Sequence, residues 1–305
     1  MKNKIPLFVL TIKNSKREFL IKKRLKFLKI KYKIFYAIDG KNKKNYKILD
    51  KKYNKTKCLN ELGRVMKYTE ISNAEGHLRI YSYIIKKKIS NAVIMEDDCY
   101  PSRLLCDWLK LNNFFKNNNY DIIQIYHSFG LVKKVPEKVI LDRFSLHKAC
   151  FTIPYTTCYQ ITKKTCQYII TKNKKIFRLV DWPINFHNST IKQYAVLPYI
   201  VMLHHNHEET SYQKELWKNF SIIKKIKKII PFYNLISALY FLSHIPFFLG
   251  ICRNYSYFKE LFLLRKIFFI RNFFSSNYIN LEKTLMNKKF YPEDLVNNAK
   301  KSFFF

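Results

Sequence analysis

The chain has 305 residues, with 57 Lys+Arg against 21 Asp+Glu and a formal net charge of +36. Its 48% hydrophobic content supplies enough apolar surface to offset the entropy of ordering, which excludes a disordered chain. Only 5 Gly and 9 Pro exclude collagen-like or linker-rich architectures, and neither GxGxxG nor GxxxxGKS/T occurs, so no glycine-rich loop cradles a phosphate. The 7 Cys are scattered without a CxxC pair, which points away from a disulfide framework or zinc ribbon and toward a reducing compartment. The positive charge has two readings: solvated lysines from a biased coding sequence, or a field that attracts anionic lipid, nucleic acid or phosphorylated substrates.

Residues 5–12 form an apolar run that predicts a buried strand, too short for a secretory signal. Residues 15–28 predict a Lys/Arg-rich amphipathic helix, and 31–37 a second strand ending at Asp39-Gly40. This strand–helix–strand opening predicts a parallel α/β sheet. Residues 70–87 predict a helix, because Ala74, Leu78, Tyr81 and Ile85 recur three or four apart. After a polar turn at 88–91, an apolar strand over 92–95 stops abruptly at Glu96-Asp97-Asp98.

In open α/β sheets ligands bind at the carboxyl edge of the strands. Three adjacent acids repel one another unless a cation or a basic group sits among them. Mg²⁺ and Mn²⁺ take carboxylate oxygens and leave coordination positions for phosphate oxygens. On its own the acidic triplet also fits a solvated turn or a helix cap.

Six segments together resemble the bacterial lipooligosaccharide glycosyltransferases of glycosyltransferase family 25. They are FVLTIKNSKRE (8–18), FYAIDG (35–40), TEISNAEGHLRIY (69–81), AVIMEDD (92–98), TTCYQITKKTCQYII (156–170) and LVDWPI (179–184). Their order and spacing agree with the family over roughly residues 5–212. Departures are Ser72 in place of Gly, Gly76 in place of Ser, Thr157 or Cys158 in place of a Gly, and Arg17 alone where the family pairs arginines.

The resemblance implies an α/β, GT-A-like nucleotide-binding domain over 1–215; beyond it the residues themselves read as a mainly helical, basic-aromatic, membrane-associating region over 216–305. It implies a UDP-hexose donor, most simply UDP-galactose, a lipooligosaccharide sugar as lipid-linked acceptor, and Mn²⁺ or Mg²⁺. Thr11, Arg17, Asp39, Glu70, His77, Glu96 and Asp97 are the residues expected around the donor. Asp98 is the first choice for direct metal contact, with Glu96, two residues back, able to take metal or a ribose hydroxyl.

The resemblance implies Asp181 as general base, and its setting among Leu179, Val180, Trp182 and Pro183, where desolvation raises proton affinity, is in its favour. Its alternative is a cap on the Pro183 turn. Single displacement with such a base inverts the anomeric configuration. His77 is either a core hydrogen-bonder or a site residue, and Glu70 either a donor contact or a partner of Arg79 or a Lys. His204, His205 and His207 precede Glu208-Glu209 without matching a closed zinc site. One of them, taken here as His205, is a candidate metal ligand; otherwise they form a surface turn.

Residues 229–252 carry no formally charged side chain over 24 positions, long enough to cross a bilayer, though Pro231, Pro246 and Gly250 interrupt it. Residues 261–274 read as a basic amphipathic helix. Interfacial attachment, a span and ordinary core are the open readings. With a lipid-linked acceptor, attachment to the cytoplasmic side of an anionic inner membrane is expected. Competing classes are a metal-dependent nuclease, which lacks a supporting Lys or second acid cluster here, and a non-catalytic membrane module, which has no need of the acids. No nucleic-acid partner is expected.

Overall fold

The computed structural model of the protein describes residues 4–62, 64–116, 118, 120–127, 130–150, 152–153, 155–180, 190–203, 278–280 and 291–292. Its strands are β1 (Leu7–Thr11), β2 (Lys33–Tyr36), β3 (Asn91–Glu96), β4 (Cys99–Pro101), β5 (Ile122–Gln124), β6 (Leu131–Lys133), β7 (Lys138–Ile140), β8 (Phe144–Lys148), β9 (Cys158–Thr162), β10 (Gln193–Leu197), β11 (Val201–Leu203) and β12 (Tyr278–Asn280). The helices are α1 (Lys16–Phe27), α2 (Tyr46–Lys52), α3 (Lys55–Leu62), α4 (Tyr68–Lys86), α5 (Leu104–Leu109), α6 (Asn112–Lys116) and α7 (Lys163–Lys172).

Eight strands form one sheet in the order β2-β1-β3-β9-β5-β10-β8-β7. The expected parallel opening is present, since β1 runs parallel to both β2 and β3. Beyond it the sheet is mixed, because β9 runs antiparallel to β3 and β5, and β8 antiparallel to β10. The architecture is therefore α/β with a mixed central sheet flanked by helices, as a GT-A-like nucleotide-binding domain requires.

Helices cover both faces, which is why β1 and β3 read as continuous apolar runs rather than alternating ones. Leu7, Val9, Val93 and Met95 pack on one face with Ile21 and Leu25 of α1 and Leu105 and Trp108 of α5. Phe8, Leu10, Ala92 and Ile94 pack on the other with Ile80, Tyr81 and Ile84 of α4 and Cys166 and Ile169 of α7. Gly76 lets α4 settle on β1, since a Cβ there would stand 2.6 Å from Leu10 Cδ1. Ser15 caps α1 by accepting from Glu18 N at 3.0 Å.

Gly40 marks a tighter approach. A Cβ at this position would lie 2.5 Å from Tyr68 O and 2.7 Å from Thr69 Cα, so the turn after β2 touches the first residues of α4 backbone to backbone. Ser72 Oγ donates to Ile38 O and ties the same loop to the helix. Gly40→Ala is expected to destabilise the fold by about 2 kcal/mol, because backbone on the far side cannot give way as a side chain would. Urea unfolding measures this; an unchanged midpoint would mean the loop moves freely.

The stretches 126–136 and 143–155 contain strands β6 and β8. Phe144 and Leu146 of β8 are buried, and Ser145 and His147 alternate with them along the strand. The small strand β12, from the 216–305 region, pairs antiparallel with β6, and Tyr291 stacks on Tyr199 at 5.3 Å. No helix among the described residues is long and apolar enough to cross a membrane. The segments 229–252 and 261–274 lie outside the described residues.

Candidate active site

The parallel neighbours β2, β1 and β3 end together, and most of the expected site residues gather at this edge or on the helices beside it. Thr11 closes β1, Asp39 follows β2, and Glu96 closes β3 with Leu10 as its cross-strand partner. The strand turns at once after Glu96, so Asp97 and Asp98 occupy the tight connection to β4. The three acids consequently diverge.

Glu96 faces α4 and β9. Its Oε1 accepts from Thr156 Oγ1 at 2.9 Å and Asn73 Nδ2 at 3.3 Å, and meets His77 Nε2 at 3.2 Å. None of these contacts uses Oε2. Burial raises the Glu96 carboxyl, but the hydrogen bonds and charge of His77, with Thr156 and Asn73, outweigh it and hold the group below its ordinary value. His77 is fully buried, and its Nδ1 lies 2.7 Å from Tyr159 Oη, which lies 2.6 Å from Tyr81 Oη. An ionised Glu96 only accepts, which puts a proton on Nε2. Nδ1 and Tyr159 Oη share one hydrogen bond, and Tyr159 Oη shares another with Tyr81 Oη.

Asp97 faces the other way. Its Oδ2 accepts from Thr11 Oγ1 at 2.6 Å, and Oδ1 stands 3.8 Å from an Arg17 guanidinium nitrogen. Burial raises its carboxyl above the ordinary value in spite of both contacts. Asp98 is pushed up to about 8, first by burial and then by the charges of Glu96 and Asp97, with Arg17 opposing. Close to neutrality the triplet therefore keeps a proton that a divalent cation would replace.

Asp39 sits at the loop by the start of α4, where its Oδ1 accepts from Lys41 N and its carbonyl from Asn45 Nδ2, both at 2.9 Å. Glu70 is in the first turn of α4. It accepts from Lys67 N at 2.7 Å and from both terminal nitrogens of Arg64 at 2.8 Å, so its carboxylate is committed to the helix start. Arg79 pairs instead with the buried Glu75.

Asp181 and His205 lie outside the described residues. Their neighbours in the chain are placed: Leu179 and Val180 line a cavity of about 20 Å³ with His77, Ala74, Leu78 and Tyr81 of α4. Leu203, two residues before His205, is the cross-strand partner of Cys99, which follows Asp98. Among the described residues no group of three or more His, Cys, Asp or Glu side chains is arranged to hold a metal. The divergence of Glu96 from Asp97 accounts for that. Sequence reasoning missed Thr156, Tyr159 and Asn73 as partners of Glu96 and His77; all three fall within or beside the family-like segments.

The sequence profile of glycosyltransferase family 25 (LPS biosynthesis protein) matches residues 4–184. The chain belongs to glycosyltransferase family 25. The family match takes in all six segments, from the first strand through LVDWPI, and stops short of residue 212. Membership makes this a glycosyltransferase of lipopolysaccharide biosynthesis, an enzyme with a sugar donor and an acceptor. No curated protein matches the chain. Among solved structures, A197 from STIV is similar at 14% identity with a TM-score of 0.34, over 67% of this chain and 95% of that one. So slight a likeness adds nothing to the reading of the fold.

Proposed function

We propose that this family 25 member moves a hexose, most simply galactose, from a UDP-sugar to a lipid-linked lipooligosaccharide acceptor, with inversion. The observation that carries the reading is the acidic turn at the carboxyl edge of three parallel strands, flanked by Arg17 and His77 and short of positive charge. That donor set suits a hard divalent cation, Mn²⁺ or Mg²⁺, bound through Asp98 and the Oε2 of Glu96. A late histidine, His205, would serve as a third ligand. A bound cation would neutralise charge growing on the departing diphosphate.

The chain's own residues do the rest. Thr11 fixes Asp97, and Arg17 offers a second positive charge beside the diphosphate. His77, anchored on Tyr159, holds Glu96 in one orientation. The acceptor hydroxyl oxygen bonds to the anomeric carbon as the bond from that carbon to the phosphate oxygen breaks. Asp181 takes the hydroxyl proton, and UDP leaves. An enzyme acting on a lipid-linked acceptor works at the inner face of the inner membrane, held there peripherally.

Calorimetric titration of UDP into the full chain, with Mn²⁺ and then with EDTA, tests the donor site directly. Metal-dependent binding is expected; a folded protein that ignores UDP in both buffers would overturn the reading. Asp181→Asn is expected to keep UDP affinity and lose about a thousandfold in turnover. Retained turnover would assign the base elsewhere.

A further inference from the structure

We propose that the outward face of α1 docks the enzyme onto an anionic lipid surface. The helix buries Glu18, Ile21 and Leu25 toward the sheet. At 100° per residue the opposite side carries Lys16, Phe19, Lys23, Lys26 and Phe27 within an arc of about 100°. Phe19 is 65% exposed and Phe27 63% exposed, with exposed lysines between and beside them. The outer face of a helix in a globular protein is ordinarily polar, so two open phenyl rings one turn either side of Lys23 serve no purpose in the core.

Charge selects the occupant. Among its residues α1 carries Lys16, Arg17, Lys22, Lys23, Arg24 and Lys26 against Glu18 alone. That carboxylate is turned inward, accepting from Lys22, from Tyr36 Oη at 2.9 Å and from Asn14 N at 2.6 Å. The outer face is therefore purely cationic and aromatic. Such a face lies in the headgroup region, with phenyl rings at the acyl boundary and ammonium groups on anionic headgroups. The two rings stand about 12 Å apart along the axis, at 1.5 Å per residue, a spacing that suits a surface rather than a single pocket.

Position gives the face its use. The first turn of α1 holds Arg17 beside Asp97, and Ser15 Oγ lies 3.4 Å from Thr11 Oγ1, so the docking face borders the donor site. A membrane seated on α1 brings a lipid-linked acceptor to the edge where the sugar is released. That use rests on the proposed function; the lipid binding itself does not.

The test is co-sedimentation of the full chain with vesicles of phosphatidylcholine alone and of phosphatidylcholine with phosphatidylglycerol, at low and high salt. UDP titration runs in parallel. Wild type is expected on the phosphatidylglycerol vesicles only, with release at high salt. Phe19→Ser/Phe27→Ser and Lys23→Glu/Lys26→Glu are each expected to weaken partitioning about tenfold with UDP binding unchanged. A Phe27→Trp variant is expected to show a blue-shifted emission on the anionic vesicles. Double variants that bind like wild type would place attachment elsewhere in the chain and overturn the assignment to α1. Wild type that ignores anionic vesicles, or is retained by DNA instead, would overturn it too. Vesicle binding without UDP binding would leave α1 standing and sink the transferase reading.

Discussion

Asp98→Asn is expected to abolish metal-dependent UDP binding and to lower kcat/KM by about a thousandfold, because it removes the first carboxylate expected on the cation. The same substitution is expected to stabilise the metal-free protein. Asp98 is raised from 3.8 to about 8 by burial and by the charges of Glu96 and Asp97. The folded state thus keeps a proton that the unfolded state loses between those values, so its stability falls as pH rises through that window. Asn carries no such penalty, and melting curves of the variant should be flatter between about pH 5 and about pH 8. Mn²⁺ should raise Tm in the wild type, and by more at the upper end, where less work is needed to displace the proton. A variant that melts like wild type across the range, or still binds UDP with metal, would remove Asp98 from the site.

The acidic turn was partly legible in the sequence. The acids at the end of a buried strand announce a carboxyl-edge site because a strand's apolar run and its sudden end are local signals. β1, α1, β2, α4 and β3 likewise follow from apolar runs and helical spacing, and each lies within about two residues of its expected bounds. Strand direction has no local signature, and so the antiparallel insertion of β9 between β3 and β5 stayed hidden. The α2 and α3 helices also went unread, since Lys and Asn dominate 46–62 and blur the apolar stripe on which Leu49 and Cys58 are buried.

Side-chain pairing was the least legible. Glu96 and Thr156 are 60 positions apart, and His77 and Tyr159 are 82 apart, so no spacing rule joins them. Resemblance placed Glu70 beside the donor, whereas the geometry spends its carboxylate on Arg64 and the start of α4. Resemblance conveys which residues recur; it does not say which of them hold the helix that carries the others. His77 shows the distinction from the opposite side, as a buried core histidine whose second nitrogen reaches a site carboxylate.

His77→Ala is accordingly expected to damage fold and site together. It removes the donor to Glu96 and leaves Tyr159 Oη without its imidazole partner, while opening space beside Tyr81 and Ala74. Lost hydrogen bonds and a cavity at a fully buried position should cost about 3 kcal/mol in urea unfolding. Glu96 also loses the partner that keeps it ionised and aligned, so UDP affinity with Mn²⁺ should fall about tenfold. Tyr159→Phe separates the two effects: it deletes one hydroxyl, keeps the ring packed and should cost only about 1 kcal/mol. If His77 positions Glu96 through its Nε2, Tyr159→Phe should leave UDP affinity nearly intact while His77→Ala does not. Equal losses in the two variants would mean that affinity follows general stability, and His77 would then be a core residue alone.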